Sequence, residues 1–293
     1  DSGTYNAVGG LVASFTVVPG AGTQASVRCL TVAIGKTDRL RVRQVFSASM
    51  IIQLILAGLV VLLIESVGLW FLHFRMNIPP ERIGAADVVL HCSTAILVLN
   101  MLAIPYNACI TSHENMSVFA GISVLEGALK LLLAFLLSLS TFDKLVTYAA
   151  LMVAVAFIVR LCYATYCRKN YSQVVRFETP GRELFKEMFS FSGWNFLGSG
   201  TYLVNTHGIN LLSNIFFGVA VNAARGVAAQ VESIVKQFVS NFLTAINPQI
   251  TKSYSCGDYE KSFTLVLKGS KFTFMVIWVC LLPVVFEAET LLG

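Results

Sequence analysis

Charge is what this chain has least of. Asp, Glu, Lys and Arg make up 13% of its 293 residues, about half the share of an average soluble domain. That scarcity excludes a water-soluble globular enzyme. Proline (7) and glycine (21) are too few for a collagen-like or disordered chain. The seven cysteines include no CxxC pair. The closest two, Cys162 and Cys167, match no metal or redox spacing, so the cysteines read as small hydrophobes. No basic stretch with a cleavage site marks a signal peptide. The chain begins at Asp1 and stops at Gly293, each beside an apolar run, and reads as the middle of a longer protein.

What the chain has is apolar sequence, 56% of it. Apolar runs fall near 5–34, 45–72, 85–111, 116–139, 144–167, 188–217, 219–251 and 263–287. At about 20 residues per crossing these predict an all-α integral membrane protein with about eight transmembrane helices. Membrane β-strands would alternate polar and apolar, and the run from Leu54 to Ile64 does not. Pro19, Pro105, Pro248 and Pro283 fall inside runs and predict kinks.

The loops orient the bundle. If the first loop is cytoplasmic, that side carries Lys36, Arg39, Arg41, Arg43, Arg168, Lys169, Arg176, Arg182, Lys186, Lys252 and Lys261. The other side carries Arg75, Arg82 and Lys144, a clear positive-inside bias. Ile78-Pro79-Pro80-Glu81 reads as an outer turn before a helix start. The longest loop, about 168–186, is basic, and divides the chain into a first lobe (1–179) and a second (180–293). A shift of 216 residues places Asn6, Ala7, Gly10, Ala13, Ile34 and Lys36 on Asn222, Ala223, Gly226, Ala229, Ile250 and Lys252. Both helices end at a basic loop on the same side, which predicts a parallel internal repeat.

No catalytic motif is visible, so intramembrane polar residues carry the information; they are costly in lipid and tend to face a cavity. On the seventh run Asn222, Arg225, Glu232, Lys236, Ser240 and Asn247 share a face within about 80°. On the sixth, Ser192, Asn195, Ser199, Thr206, Asn210 and Ser213 do the same, flanked by His207. On the first, Asn6, Gly10, Ala13, Gly20, Gln24, Arg28 and Thr31 form a stripe. Two readings stand side by side for such stripes: lining of a wet central cavity, or interhelical packing. Arg28 either lines the cavity or reaches back to the basic loop.

If these faces line a cavity, its substrate-binding residues are Gln24, Arg28, Asn195, Asn210, Asn222, Arg225, Glu232 and Lys236. Arginine offers a planar fork to a phosphate or diphosphate, so the lining suits an anionic ligand. Glu232 and Lys236 are four residues apart and neutralise each other locally, as do Glu126 and Lys130. Glu126 reads either as half of a structural pair or as an ion-coupling site, and His207 either as a protonation switch or as a packing residue. Trp70, Trp194 and Trp278 read as interface or packing aromatics.

At Ile78-Pro79-Pro80-Glu81-Arg82, Pro105-Tyr106-Asn107-Ala108, Ser112-His113-Glu114-Asn115-Met116, Asn222-Ala223-Ala224-Arg225-Gly226 and Ala245-Ile246-Asn247-Pro248-Gln249-Ile250-Thr251-Lys252 the chain resembles a bacterial polysaccharide flippase. These belong to the superfamily that also holds the MATE multidrug exporters, and the resemblance is closest to Bacteroides-like versions. It implies two lobes around a central cavity, with twelve to fourteen helices of which these would be helices two to nine. It implies movement of an oligosaccharide on undecaprenyl diphosphate across the bacterial cytoplasmic membrane, for surface polysaccharide such as O-antigen. Arg225 and Arg28 match by position the arginines that would hold the diphosphate. No covalent chemistry, metal or resident cofactor is implied; H⁺ or Na⁺ coupling is. Partners would be the glycolipid, membrane lipids and the polysaccharide polymerase machinery, with no nucleic acid.

Two other classes are weighed against this one. A MATE exporter of cationic drugs wants cavity carboxylates, and Glu126 and Glu232 each have a lysine one turn on. A membrane glycosyltransferase or polymerase wants a carboxylate or histidine cluster at a membrane face, and no loop carries one.

Overall fold

The computed structural model describes residues 17–74, 83–139 and 143–286, with the side chains of most of 202–231 and some scattered positions left aside. The described residues are mostly helical, joined by short turns and one linker, with no strand among them. In order they form α1 (Val17–Gly35), α2 (Arg39–Leu63), a π-helical turn (Ile64–Gly68), α3 (Leu69–Phe74), α4 (Ile83–Ser112), α5 (Met116–Leu139), α6 (Lys144–Asn170), the short α7 (Ser172–Val175), α8 (Arg182–Ser255) and α9 (Tyr259–Phe286). Among them Arg39–Gly68, Ile83–Ser112, Met116–Leu137, Lys144–Asn170 and Tyr259–Val279 are long and apolar enough to cross a membrane.

One expectation fails on α8. Two spans with a break near 218 are expected, whereas the backbone stays helical for 74 residues. No proline lies between Arg182 and Pro248, and isolated glycines such as Gly218 cost a helix only about 1 kcal/mol each. Drawn straight, that helix would measure about 110 Å, more than three hydrocarbon thicknesses, so one crossing does not account for it. Pro105 and Pro248 do lie inside helices, as expected. The Ile78-Pro79-Pro80-Glu81 turn and the first half of the 216-residue repeat up to residue 16 lie outside the described residues.

Turns on the basic side are short and share a device. Thr37 (φ 56°), Glu114 (φ 60°) and Gly257 (φ 82°) each take the left-handed conformation just after a helix. Such residues reverse the chain while handing orphan carbonyls a donor. Ala33 and Ile34 accept from Asp38 and Thr37, and Ser253 and Tyr254 accept from Asp258 and Gly257. Asp38 and Asp258 then accept backbone N–H groups of Arg41 (3.0 Å) and Lys261 (3.1 Å), starting the next helix. The two matching junctions are offset by 220 residues, one helical turn from the offset read off the identities.

The chain forms two compact units, residues 1–33 with 38–197 and residues 34–37 with 198–293. Their boundary falls inside α8, because the start of that helix packs with the first unit: Met188 is fully buried and Ser192 nearly so. In the first unit α2, α3, α4 and α6 meet in a core that includes Val60, Ile64, Leu72, Val89, Leu90, Met101 and Leu145. Between helices in lipid the gain is close packing and hydrogen bonding rather than removal from water. A polar seam supplies the bonds. Ser26 on α1 meets Ser49 on α2 at 2.5 Å, and Thr31 donates to Ser112 on α4 at 3.1 Å. Gln53, fully buried on α2, sits directly over Gly22, where a Cβ would fall 2.1 Å from its Nε2.

The α4–α5 junction is held by aromatics. Asn115 donates to the Tyr166 hydroxyl at 2.8 Å, and the His113 ring stacks on Tyr171 at 4.2 Å. Burial holds the Tyr171 phenol above its ordinary pKa, so it stays a donor at any physiological pH. The linker after α6 is fastened across the start of α2: Arg43 Nε donates to the Gln173 carbonyl at 2.8 Å, and the Glu178 N–H donates to Ser47 Oγ at 2.9 Å. In the second unit α8 and α9 pack through Phe242 on Phe272 (4.4 Å) and through Ile246 against Gly269.

Candidate functional site

The first unit contains a cavity of about 250 Å³ lined by Arg28, Cys29, Glu187, Ser190, Phe191 and Trp194. Helix geometry builds it from two elements. Positions 187, 190, 191 and 194 follow i, i+3, i+4 and i+7, one face of α8's opening turns. Arg28 and Cys29 come from the last turns of α1, close to the basic loop at its end.

The Arg28 guanidinium lies 4.7 Å from the centre of the Phe191 ring. A cation over an aromatic face is worth about 0.5–1 kcal/mol where water still reaches it, and Arg28 is exposed. The ring therefore aims the guanidinium without consuming its hydrogen-bond donors. Trp194, 73% exposed, presents a flat face beside it. Glu187 supplies the cavity's carboxylate and stands 3.9 Å from Arg41. Both side chains of that pair are more than half exposed, so it contributes little to stability. The site thus combines one fork of N–H donors, one carboxylate and two rings.

The polar stripes sort as follows. On α1, Thr31 is buried in the seam with Ser112, while Gln24 and Arg28 are exposed. On α8, Ser192 is buried and Asn195 is half-buried, donating to its own helix at Phe191 O (2.9 Å). Further along, Glu232 and Lys236 pair at 2.5 Å on an exposed face that continues through Ser240 and Asn247. On α5, Glu126 and Lys130 pair at 2.6 Å, both partly exposed. The side chains of His207, Asn210, Asn222 and Arg225 lie outside the described residues. Sequence reasoning missed Glu187, Ser190 and Phe191 and read Trp194 as an interface or packing aromatic. The signal was present, since those four positions form a helical face one step round from the Ser192–Asn195 stripe. Among the described residues no group of three or more His, Cys, Asp or Glu converges as a metal site would.

No family model matches the chain, and no curated protein matches it. Solved structures do. A MATE crystal structure in complex with MaD3S matches with a TM-score of 0.82 at 16% identity, over 98% of this chain and 66% of that one. An outward-facing multidrug resistance MATE transporter of the MOP superfamily matches at 0.80 and 16%, over 98% and 65%. A MOP superfamily transporter from Pyrococcus furiosus, described as having a binding pocket of reverse polarity that suggests a different function, matches at 0.80 and 17%, over 98% and 64%. The chain has the all-helical fold of these transporters and spans just under two thirds of their length.

Proposed function

We propose that this chain is the larger part of a flippase for an anionic glycolipid, an oligosaccharide carried on a polyprenyl diphosphate, in a bacterial cytoplasmic membrane. The observation that carries the reading is Arg28, held over Phe191 beside the open Trp194 face at the basic end of α1. A guanidinium fork matches a diphosphate, and aromatic faces accept the C–H faces of sugar rings. The position suits capture from the leaflet that the basic loops face. Arg225, on the seventh run, is the second arginine that the resemblance assigns to the diphosphate. The P. furiosus transporter supports the reading from outside, because its pocket polarity is taken there as grounds for a different function on the same fold.

A second reading is favoured by one feature. Glu187 beside Phe191 and Trp194 is also a receptor for an organic cation, the cargo of a multidrug exporter. Transport by the full-length protein in proteoliposomes separates the two. With undecaprenyl-diphosphate oligosaccharide, Arg28→Ala and Arg225→Ala should each cut movement at least about 10-fold, the worth of one charge-assisted contact. Glu187→Gln should leave it standing. Movement of a cationic dye lost in Glu187→Gln, with no glycolipid movement in wild type, would establish the exporter instead.

A further inference from the structure

The connection between α6 and α8 carries charge that the substrate cavity does not use. Between 168 and 186 the basic residues are Arg168, Lys169, Arg176, Arg182 and Lys186, against Glu178 and Glu183. All five cations are exposed, and none is ion-paired among the described residues. Open aromatic rings stand among them: Phe177 is 66% exposed and Phe189 51%.

The opening turns of α8 sort these groups by face. At 100° per residue Met188 and Ser192 mark the buried side, and Glu187, Ser190, Phe191 and Trp194 mark the cavity side. The remaining side holds Arg182, Lys186, Phe189 and Phe196, within about 80° of one another and all exposed. Along that stripe charge comes first and rings follow, with Phe185 stacked on Phe189 at 6.3 Å. A helix entering a bilayer from the basic side meets lipid phosphates first, then glycerol and acyl chains, so the order matches the leaflet. The stripe is also held in place. Arg43 Nε donates to the Gln173 carbonyl, the Glu178 N–H donates to Ser47 Oγ, and Arg41 stands beside Glu187. The linker, the start of α2 and the start of α8 therefore form one platform, with its cations already placed.

We propose that this platform is a docking surface for the headgroup of an acidic phospholipid of the phosphatidylglycerol class, in the leaflet that the basic loops face. Guanidinium forks and the Lys186 ammonium take the phosphodiester, while Phe177 and Phe189 lie against glycerol and the upper acyl chains. Charge selects the occupant. A zwitterionic lipid offers the same phosphate with its own cation attached, and gains less from a cluster of unpaired cations. The same turns of α8 present Glu187, Phe191 and Trp194 on another face, so the bound lipid steadies one wall of the substrate cavity. The inference holds whatever the cargo is.

The test is titration of the full-length protein in detergent with phosphatidylglycerol and, separately, phosphatidylcholine, with bound lipid read by native mass spectrometry. Wild type should take phosphatidylglycerol at least about 10-fold more tightly, and the preference should shrink as NaCl rises from about 50 to about 500 mM. Arg182→Gln with Lys186→Gln should weaken phosphatidylglycerol binding about 10-fold or more, since each charge is worth about 5-fold. Removing two charges from turns of the second unit, Lys36→Gln with Lys261→Gln, should weaken it less than about 2-fold. Arg176→Gln with Phe177→Ser should also weaken it, and leaves α8 untouched should the first variant fail to fold. Equal affinity for the two lipids overturns the inference. So does a loss in the Lys36 and Lys261 variant as large as in the Arg182 and Lys186 variant. Phosphatidylglycerol binding kept in both platform variants, with binding of undecaprenyl diphosphate lost instead, overturns it too and assigns the stripe to substrate entry.

Discussion

At the residue scale the least comfortable group is Gln53. It is fully buried on α2, neither amide atom has a hydrogen-bond partner, and it presses into the notch above Gly22. An unsatisfied buried amide costs about 1–3 kcal/mol, while an apolar replacement of similar shape can be neutral or better. Gln53→Met should therefore raise the thermal unfolding midpoint in detergent. Gly22→Ala should lower it, by the equivalent of about 1–3 kcal/mol of overpacking. Gly22→Ala combined with Gln53→Ala should recover most of that loss, because the clash is between those two side chains alone. Ser26 and Thr31 complete the seam, and they show how far single residues were legible. The stripe of small and polar positions on the first helix was visible at 100° per residue. Which members would pack and which would stay open was not, because that depends on where Ser49 and Ser112 arrive from distant parts of the chain. Thr31 went inward and Arg28 stayed out for that reason.

At the element scale, periodicity and apolar length located α4, α5, α6 and α9 to within a few residues, while the run 45–72 began six residues inside α2 and ran on through the π-helical turn into α3. Two features escaped. The unbroken backbone of α8 carries no sequence marker, since the runs 188–217 and 219–251 were divided only at Gly218. The π-helical turn has none either. It adds one residue to a helical repeat, and such insertions are set by tertiary fit. That fit makes it testable. Deleting Val67 would return the rod to α-helical register and rotate everything after it by about 100°. Leu72 would leave the core, so the variant should accumulate poorly and melt well below wild type, whereas Val67→Ala should not. The N-caps give a smaller effect: Asp38→Ala and Asp143→Ala should each cost about 1 kcal/mol, read as a lowered unfolding midpoint.

At the scale of the whole molecule the distribution of charge was the most readable property. Eleven basic residues on one set of loops against three on the other give each helix an expected orientation. Cysteines placed at Arg168 or Lys261 should be protected from a membrane-impermeant thiol reagent in intact cells, and one at Lys144 should react; the reverse pattern would invert the topology. The pairing of Arg28 with an aromatic face on α8 was invisible at this scale, because 163 residues separate Arg28 from Phe191 and nothing local marks them as neighbours. The linker strapped over α2 has a consequence for the order of synthesis. Ser47 is fully buried in the finished unit, yet one of its partners is a backbone N–H made 131 residues later. Arg43 waits almost as long for Gln173. Until the ribosome has delivered residue 178, the start of α2 remains uncovered. Completion of the first bundle is therefore timed to the emergence of its own connector, and a nascent chain arrested before that point should be open to a protease at α2 that later chains resist.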